Sequence, residues 1–193
     1  MNPQSDRSGG PKTPEEHEPV RIGLVSDTHG YLSPAVLELL TGVDAIIHAG
    51  DIGDPAILEA LGAVAPTTAV PGNLDSGGFP ELPSHTTGEI GGVRFAVGHK
   101  RKRLAKKLAG GGVEPPDLVV FGHDHASAVA WIDGGLWVNP GSASAPYEED
   151  DTPTIAIVER VADGLSVRFI PVGRRQPDAE LDSMIPTRAG QPA

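Results

Sequence analysis

Short apolar runs recur along the chain, and a glycine or polar residue follows almost every one. Ile22-Gly23-Leu24-Val25 ends at Ser26-Asp27, Ala45-Ile46-Ile47 leads to Gly50-Asp51, and Leu118-Val119-Val120-Phe121 ends at Gly122-His123. Runs of that length, rich in Val and Ile, predict strands rather than helices. Strands are expected over 21–25, 44–48, 67–70 and 117–121. Short helices are expected over 34–40 and 55–61, each with proline in its first turn behind a capping Ser33 or Asp54. A third helix, 101–109, stops at Gly110-Gly111-Gly112, and 77–83 reads as a loop. Three hairpins complete the pattern. They pair 86–90 with 93–97 through Gly91-Gly92, 127–132 with 136–139 through Asp133-Gly134-Gly135, and 154–161 with 165–171 through Asp163-Gly164.

Helices alternate with strands in the first half, and hairpins dominate the second. That order predicts an α/β domain of two packed sheets with helices outside. The chain has 193 residues, enough for one domain with a substantial core. The expected limits are a disordered tail over 1–19, the domain over 20–173 and a flexible tail over 174–193. The first 19 residues are polar and rich in Pro, Gly and Glu, with too few apolar side chains to offset chain entropy. They lack the apolar stretch of a signal peptide, and no run approaches the ~20 apolar residues of a membrane helix. A cytoplasmic protein without membrane contact is expected.

There is no cysteine, which excludes disulfides, zinc–thiolate sites, iron–sulfur clusters and a cysteine nucleophile together. The net charge of −11 disfavours general nucleic-acid binding, which rewards clustered Lys and Arg. The charge is uneven, because Lys100, Arg101, Lys102, Arg103, Lys106 and Lys107 fall together. Leu104 and Leu108 give that helix an apolar stripe, so its charges either solvate the opposite face or bring Lys100 and Arg101 to a substrate.

The polar residues at the strand ends carry the chemistry. Asp27-Thr28-His29 and His123-Asp124-His125 place ligand-type side chains at i, i+2, which extended backbone points to one face. Asp51, Asn73 and His99 lie between them, each behind a glycine. Asp, His, Asp, Asn, His, His, His is enough nitrogen and oxygen for two metal ions.

This ordered set, closed by Asn139-Pro140-Gly141-Ser142, resembles the calcineurin-like metallophosphoesterases, and among them the small single-domain bacterial phosphodiesterase branch. The match runs from about Val20 to Pro171. The resemblance implies a four-layer α-β-β-α sandwich of two mixed sheets with flanking helices. It implies that Asp27, His29 and His125 hold one divalent ion, that Asn73, His99 and His123 hold another, and that Asp51 bridges them. Asp51, Asn73 and His99 would be catalytic as well as ligating. A ligand set of nitrogen and oxygen suits manganese first, with iron, zinc, nickel, cobalt or magnesium as alternatives. The implied activity is two-metal hydrolysis of a small phosphate ester, a phosphodiester ahead of a monoester, by metal-activated hydroxide attacking phosphorus. The alternative is a protein-interaction scaffold on the same fold, with little or no catalysis. A homo-oligomer stays open.

Lys100, Arg101 and Asp124 are the candidate substrate contacts. His48 is either a hydrogen-bonding support for the site or a satisfied core histidine. Asp75 either orients the Asn73 loop or bonds a ligand histidine, or is a turn carboxylate. Trp131 and Trp137 are expected in the core, and His17 and His85 on the surface. Two features depart from the family. Leu74 stands where many relatives carry a histidine that protonates the leaving oxygen, and where the small branch commonly has cysteine. The usual Thr-His-Gly-His is here Gly98-His99-Lys100-Arg101.

Overall fold

The structure, a computed structural model, describes residues 19–110, 115–144, 152–162 and 164–173. The expected tails lie outside these residues except for Pro19, as do Gly111, Gly112 and Asp163. The strands are β1 (Arg21–Val25), β2 (Ala45–His48), β3 (Thr67–Ala69), β4 (Thr86–Ile90), β5 (Val93–Val97), β6 (Leu118–Val120), β7 (Ala128–Ile132), β8 (Gly135–Asn139), β9 (Thr154–Val161) and β10 (Gly164–Pro171). The helices are α1 (Pro34–Leu39), α2 (Pro55–Val64) and α3 (Arg101–Ala109).

The strands form two five-stranded sheets. Sheet one has the order β10-β9-β1-β2-β3, and sheet two the order β4-β5-β6-β8-β7. β1, β2 and β3 run parallel, with Val25 level with His48 and His48 level with Ala69. β5, β6 and β8 are likewise parallel, with Val97 level with Val120 and Val120 with Val138. Their carboxyl ends therefore finish together, so every loop that follows opens on one rim.

Side-chain alternation divides each strand between two cores. Leu24, Ile47, Val97, Val120, Val138, Ala156 and Val158 fill the space between the sheets. Val25, Ile46, Ile155 and Ile157 face the other way and pack with Val36 and Leu40 of the α1 region and with Ile57 and Leu61 of α2. Leu104 of α3 meets Val119, Phe121 and Trp137 on the outer face of sheet two. Strands covered on both faces need apolar residues in succession, which explains the unbroken runs in the sequence. The result is the expected layering of helix, sheet, sheet and helix.

Three local expectations are corrected. α2 runs to Val64, beyond the expected stop at 61, because Gly62 is tolerated and Pro66 forces Ala65 into extended backbone. The β7–β8 turn has two residues, Asp133 at φ 49° and Gly134 at φ 83°, the left-handed pair that a tight hairpin demands. Trp137 is 8 % exposed in the core under α3, but Trp131 is 39 % exposed. β7 is the edge strand of sheet two, so the opposing sheet does not cover Trp131.

Candidate metal centre

Asp27 and His29 follow β1, Asp51 follows β2, and Asn73 follows β3. His99 follows β5, and His123 and His125 follow β6. The rim gathers their ligand atoms into two groups, Asp27 with His29 and His125, and Asp51 with His99 and His123. Each group draws on both sheets. Within the described residues, five non-glycine residues outside the β7–β8 turn have positive φ, and all five belong to these groups: Asp27 (55°), His29 (48°), Asp51 (53°), His123 (76°) and His125 (51°). The expectation of extended backbone at i, i+2 is thereby corrected. All four residues of the two pairs are left-handed, yet Asp27 and His29 still meet in one group while His123 and His125 serve two.

In the first group the Nε2 atoms of His29 and His125 lie 3.0 Å apart. Asp27 Oδ1 is 3.4 Å from His125 Nε2 and 4.0 Å from His29 Nε2. The other oxygen, Oδ2, accepts from the Ser26 hydroxyl at 2.6 Å and the His123 amide at 3.1 Å. Oδ1 has no hydrogen-bond donor although Asp27 is fully buried. Burial pushes the Asp27 carboxyl above its ordinary range, and the Ser26 hydroxyl only partly opposes that. A buried carboxylate oxygen facing two imidazole nitrogens and lacking a donor fits a cation.

In the second group His99 Nδ1 lies 2.8 Å from the Ala49 carbonyl, to which it donates. Its Nε2 then points at Asn73 Oδ1 (3.2 Å) and Asp51 Oδ2 (3.4 Å). Burial disfavours charge on His99, but Asp51 and the Ala49 carbonyl outweigh it and raise the imidazole above its ordinary value. Asp51 is the complement. Burial alone would raise its carboxyl, yet His99, the Leu74 amide at 2.8 Å and the field of His29 bring it down to about 2. Two acceptor oxygens converging on one ring nitrogen again form a donor set for a cation.

Supporting groups hold the loops. Asp75 does not touch a histidine; it accepts from the amides of Gly72 (2.7 Å), Gly53 (2.9 Å) and Ile52 (3.0 Å). It thus ties the Asn73 loop to the Asp51 loop. Buried His48 accepts from the Gly50 amide through Nδ1 at 3.2 Å, which leaves its Nε2–H for Thr28 Oγ1 at 3.0 Å. Burial lowers His48 to about 4, so it is neutral near pH 7. It is a support that links loops rather than a partner of any ligand ring. Ser142 donates to the Asp27 carbonyl at 2.8 Å, and Ser144 to the Thr28 carbonyl at 2.6 Å. Ser144 carried no signal in the sequence beyond its nearness to Asn139-Pro140-Gly141-Ser142. Glycine is required at 72 and 122 for space, because a Cβ would strike Asp51 at the first and Ser26 and Asp27 at the second.

Lys100 is exposed at the start of α3 and borders a cavity shared with Asn73 and His99. Arg101 instead lies 5.9 Å from the Phe121 ring centroid and lines an adjoining hollow against Trp137, which shares His85 and Lys107 with that cavity. Asp124 is exposed between the two histidines, and Leu74 is 66 % exposed on the rim. His85, expected on the surface, is half-buried beside His99. No helix among the described residues is long and apolar enough to cross a membrane.

The model of the calcineurin-like phosphoesterase superfamily domain matches residues 20–163. A probable metallophosphoesterase of Methanocaldococcus jannaschii is 33% identical over 163 residues, covering 78% of this chain and 81% of that protein. Among solved structures, an archaeal phosphodiesterase superposes with a TM-score of 0.61 at 24% identity, over 79% of this chain and 100% of its own. Vps29 of Entamoeba histolytica, solved with zinc, gives 0.65 at 18% identity, over 81% and 95%. Likeness at those identities speaks for the fold, while the family model spans both ligand groups. The chain belongs to the calcineurin-like phosphoesterase superfamily.

Proposed function

We propose that this protein is a dinuclear-metal-dependent phosphoesterase that hydrolyses phosphodiesters. The observation that carries the reading is the buried Asp27 Oδ1, which faces two imidazole nitrogens and has no hydrogen-bond donor. Asp27, His29 and His125 would hold one divalent ion, and Asn73, His99 and His123 the other. Asp51, whose Oδ2 lies 3.4 Å from His99 Nε2, would bridge the two. Manganese is the first choice of metal. Ions in those positions supply Lewis-acid activation of water and neutralise charge on the phosphoryl oxygens.

The chain's own residues do the positioning. The Ala49 carbonyl fixes the His99 tautomer, so that Nε2 is the atom offered. The Leu74 amide holds Asp51 Oδ1, and the Ser26 hydroxyl and His123 amide hold Asp27 Oδ2. Such pre-set ligands need little reorganisation when charge develops.

The test is hydrolysis of bis(p-nitrophenyl) phosphate with Mn²⁺. Chelator should abolish turnover, and Asp51→Asn and His123→Ala should each lower kcat/KM by about 10²-fold or more while the circular dichroism spectrum is kept. Turnover that survives both substitutions would remove the metal mechanism. A scaffold on the same fold would bind the ions and hydrolyse nothing. The complete ligand set favours the enzyme.

A further inference from the structure

Beside Asn73 and His99 opens a cavity of about 200 Å³. One wall is α3, which presents Lys100, Arg103 and Lys107, and His85 borders it too. Their spacing of three and four residues puts the three cations on one side of the helix. Leu104 anchors α3 against sheet two, so this side is held in place. Charges that merely solvate a helix need no cavity. Lys102 and Lys106 fit that description, since they border neither this cavity nor the hollow against Trp137. In a chain of net charge −11, three cations beside the candidate metal centre form a site for an anion.

Leu74 sharpens the choice of anion. It is exposed on the rim and carries no proton to give. An alkoxide, whose conjugate acid approaches water's pKa of about 15.7, departs slowly without an acid. A phosphate leaves with a second pKa of about 6 and needs no proton, only neutralisation of its charge. The cavity has cations to offer and Leu74 offers no acid, which matches the second kind of leaving group.

We propose, resting on the phosphoesterase reading above, that the substrate is a diphosphate whose leaving phosphate sits against Lys100, Arg103 and Lys107. The oxygen of water forms a bond to the phosphorus at the metal centre. The bond from that phosphorus to the bridging oxygen breaks, and its electron pair stays on that oxygen. The bridging oxygen becomes a terminal oxygen of the departing phosphate. The two water protons pass to the product phosphates or to solvent, and nothing is oxidised or reduced.

Two double variants each remove two positive charges from α3: Arg103→Ala with Lys107→Ala, and Lys102→Ala with Lys106→Ala. Metal-replete proteins are assayed on UDP-glucose, which contains a diphosphate, and on bis(p-nitrophenyl) phosphate. The cavity variant should lose kcat/KM on UDP-glucose by about tenfold more than on the nitrophenyl ester, whereas the outer-face variant should move both together. Equal losses from the cavity variant overturn the proposal, as does a wild type that cleaves the nitrophenyl ester but not UDP-glucose. Calorimetric binding of inorganic pyrophosphate to chelator-treated protein is independent of turnover. There the cavity variant should bind about tenfold more weakly and the outer-face variant nearly as the wild type. Equal weakening overturns the subsite. If neither substrate is hydrolysed, the phosphoesterase reading and the diphosphate cleavage fail together, and this binding comparison alone upholds or overturns the anion subsite.

Discussion

Left-handed backbone at Asp27, His29, Asp51, His123 and His125 is unfavourable for any residue with a Cβ, by about 1–2 kcal/mol each. The chain keeps these residues there because their side chains must turn off the strand ends toward the rim. The strain is measurable without catalysis. His125→Gly and His125→Ala both remove the ring, but only glycine accepts φ near 51° freely. In chelator, urea unfolding should find the glycine variant more stable than the alanine variant by about 1 kcal/mol. Equal midpoints would mean that the backbone there is relaxed. Leu74 is the residue that narrows the chemistry. Leu74→His should raise turnover on alkyl phosphodiesters by up to about 10²-fold and on nitrophenyl esters much less, because only the alkoxide needs a proton. A uniform gain on both would show that the imidazole acts otherwise.

At the next scale, the site is a set of loops pinned to one another. Asp75 alone satisfies three backbone amides from two loops. Asp75→Ala leaves those donors buried without an acceptor and should lower stability by on the order of 3 kcal/mol. It should also weaken Mn²⁺ binding, measured by calorimetry; unaltered affinity would show that the Asn73 loop stands without it. Much of this level was legible in the sequence. The strands were readable because two-sided burial demands consecutive apolar residues, as in Leu118-Val119-Val120. The metal-type residues were readable because Asp27, Asp51, His99 and His123 interrupt those runs with groups that no core would accept unpaired. What could not be read depends on three-dimensional neighbours. The bonds of Asp75 reach back to Ile52 and Gly53, and Ser144 reaches Thr28 across more than a hundred residues. The exposure of Trp131 follows from β7 being an edge, which no local pattern announces. Arg103 and Lys107 looked like any solvated face until the cavity against Asn73 set them, with Lys100, apart from the other three basic residues.

For the molecule as a whole, each ligand group joins sheet one to sheet two. Ions bound there would fasten the two layers at the rim, so metal should stabilise the fold by about 2.7 kcal/mol when free metal is 100 times its Kd, and Tm should climb with metal concentration. Thermal scans across a Mn²⁺ series should show that rise, and His123→Ala should blunt it. A Tm indifferent to metal would mean that the groups do not hold ions across the sheets. Chain order adds a consequence for biosynthesis. Sheet two, β4 through β8, is inserted within the chain of sheet one, whose β1 pairs with β9 at Ile22 and Val158. Every candidate ligand up to His125 has therefore been synthesised before β9 begins at Thr154. During that interval the nascent polypeptide carries its full set of carboxylates and imidazoles beside a β1 whose outer edge is bare. Premature ion capture and edge-to-edge association both belong to that window, which closes when the final hairpin docks.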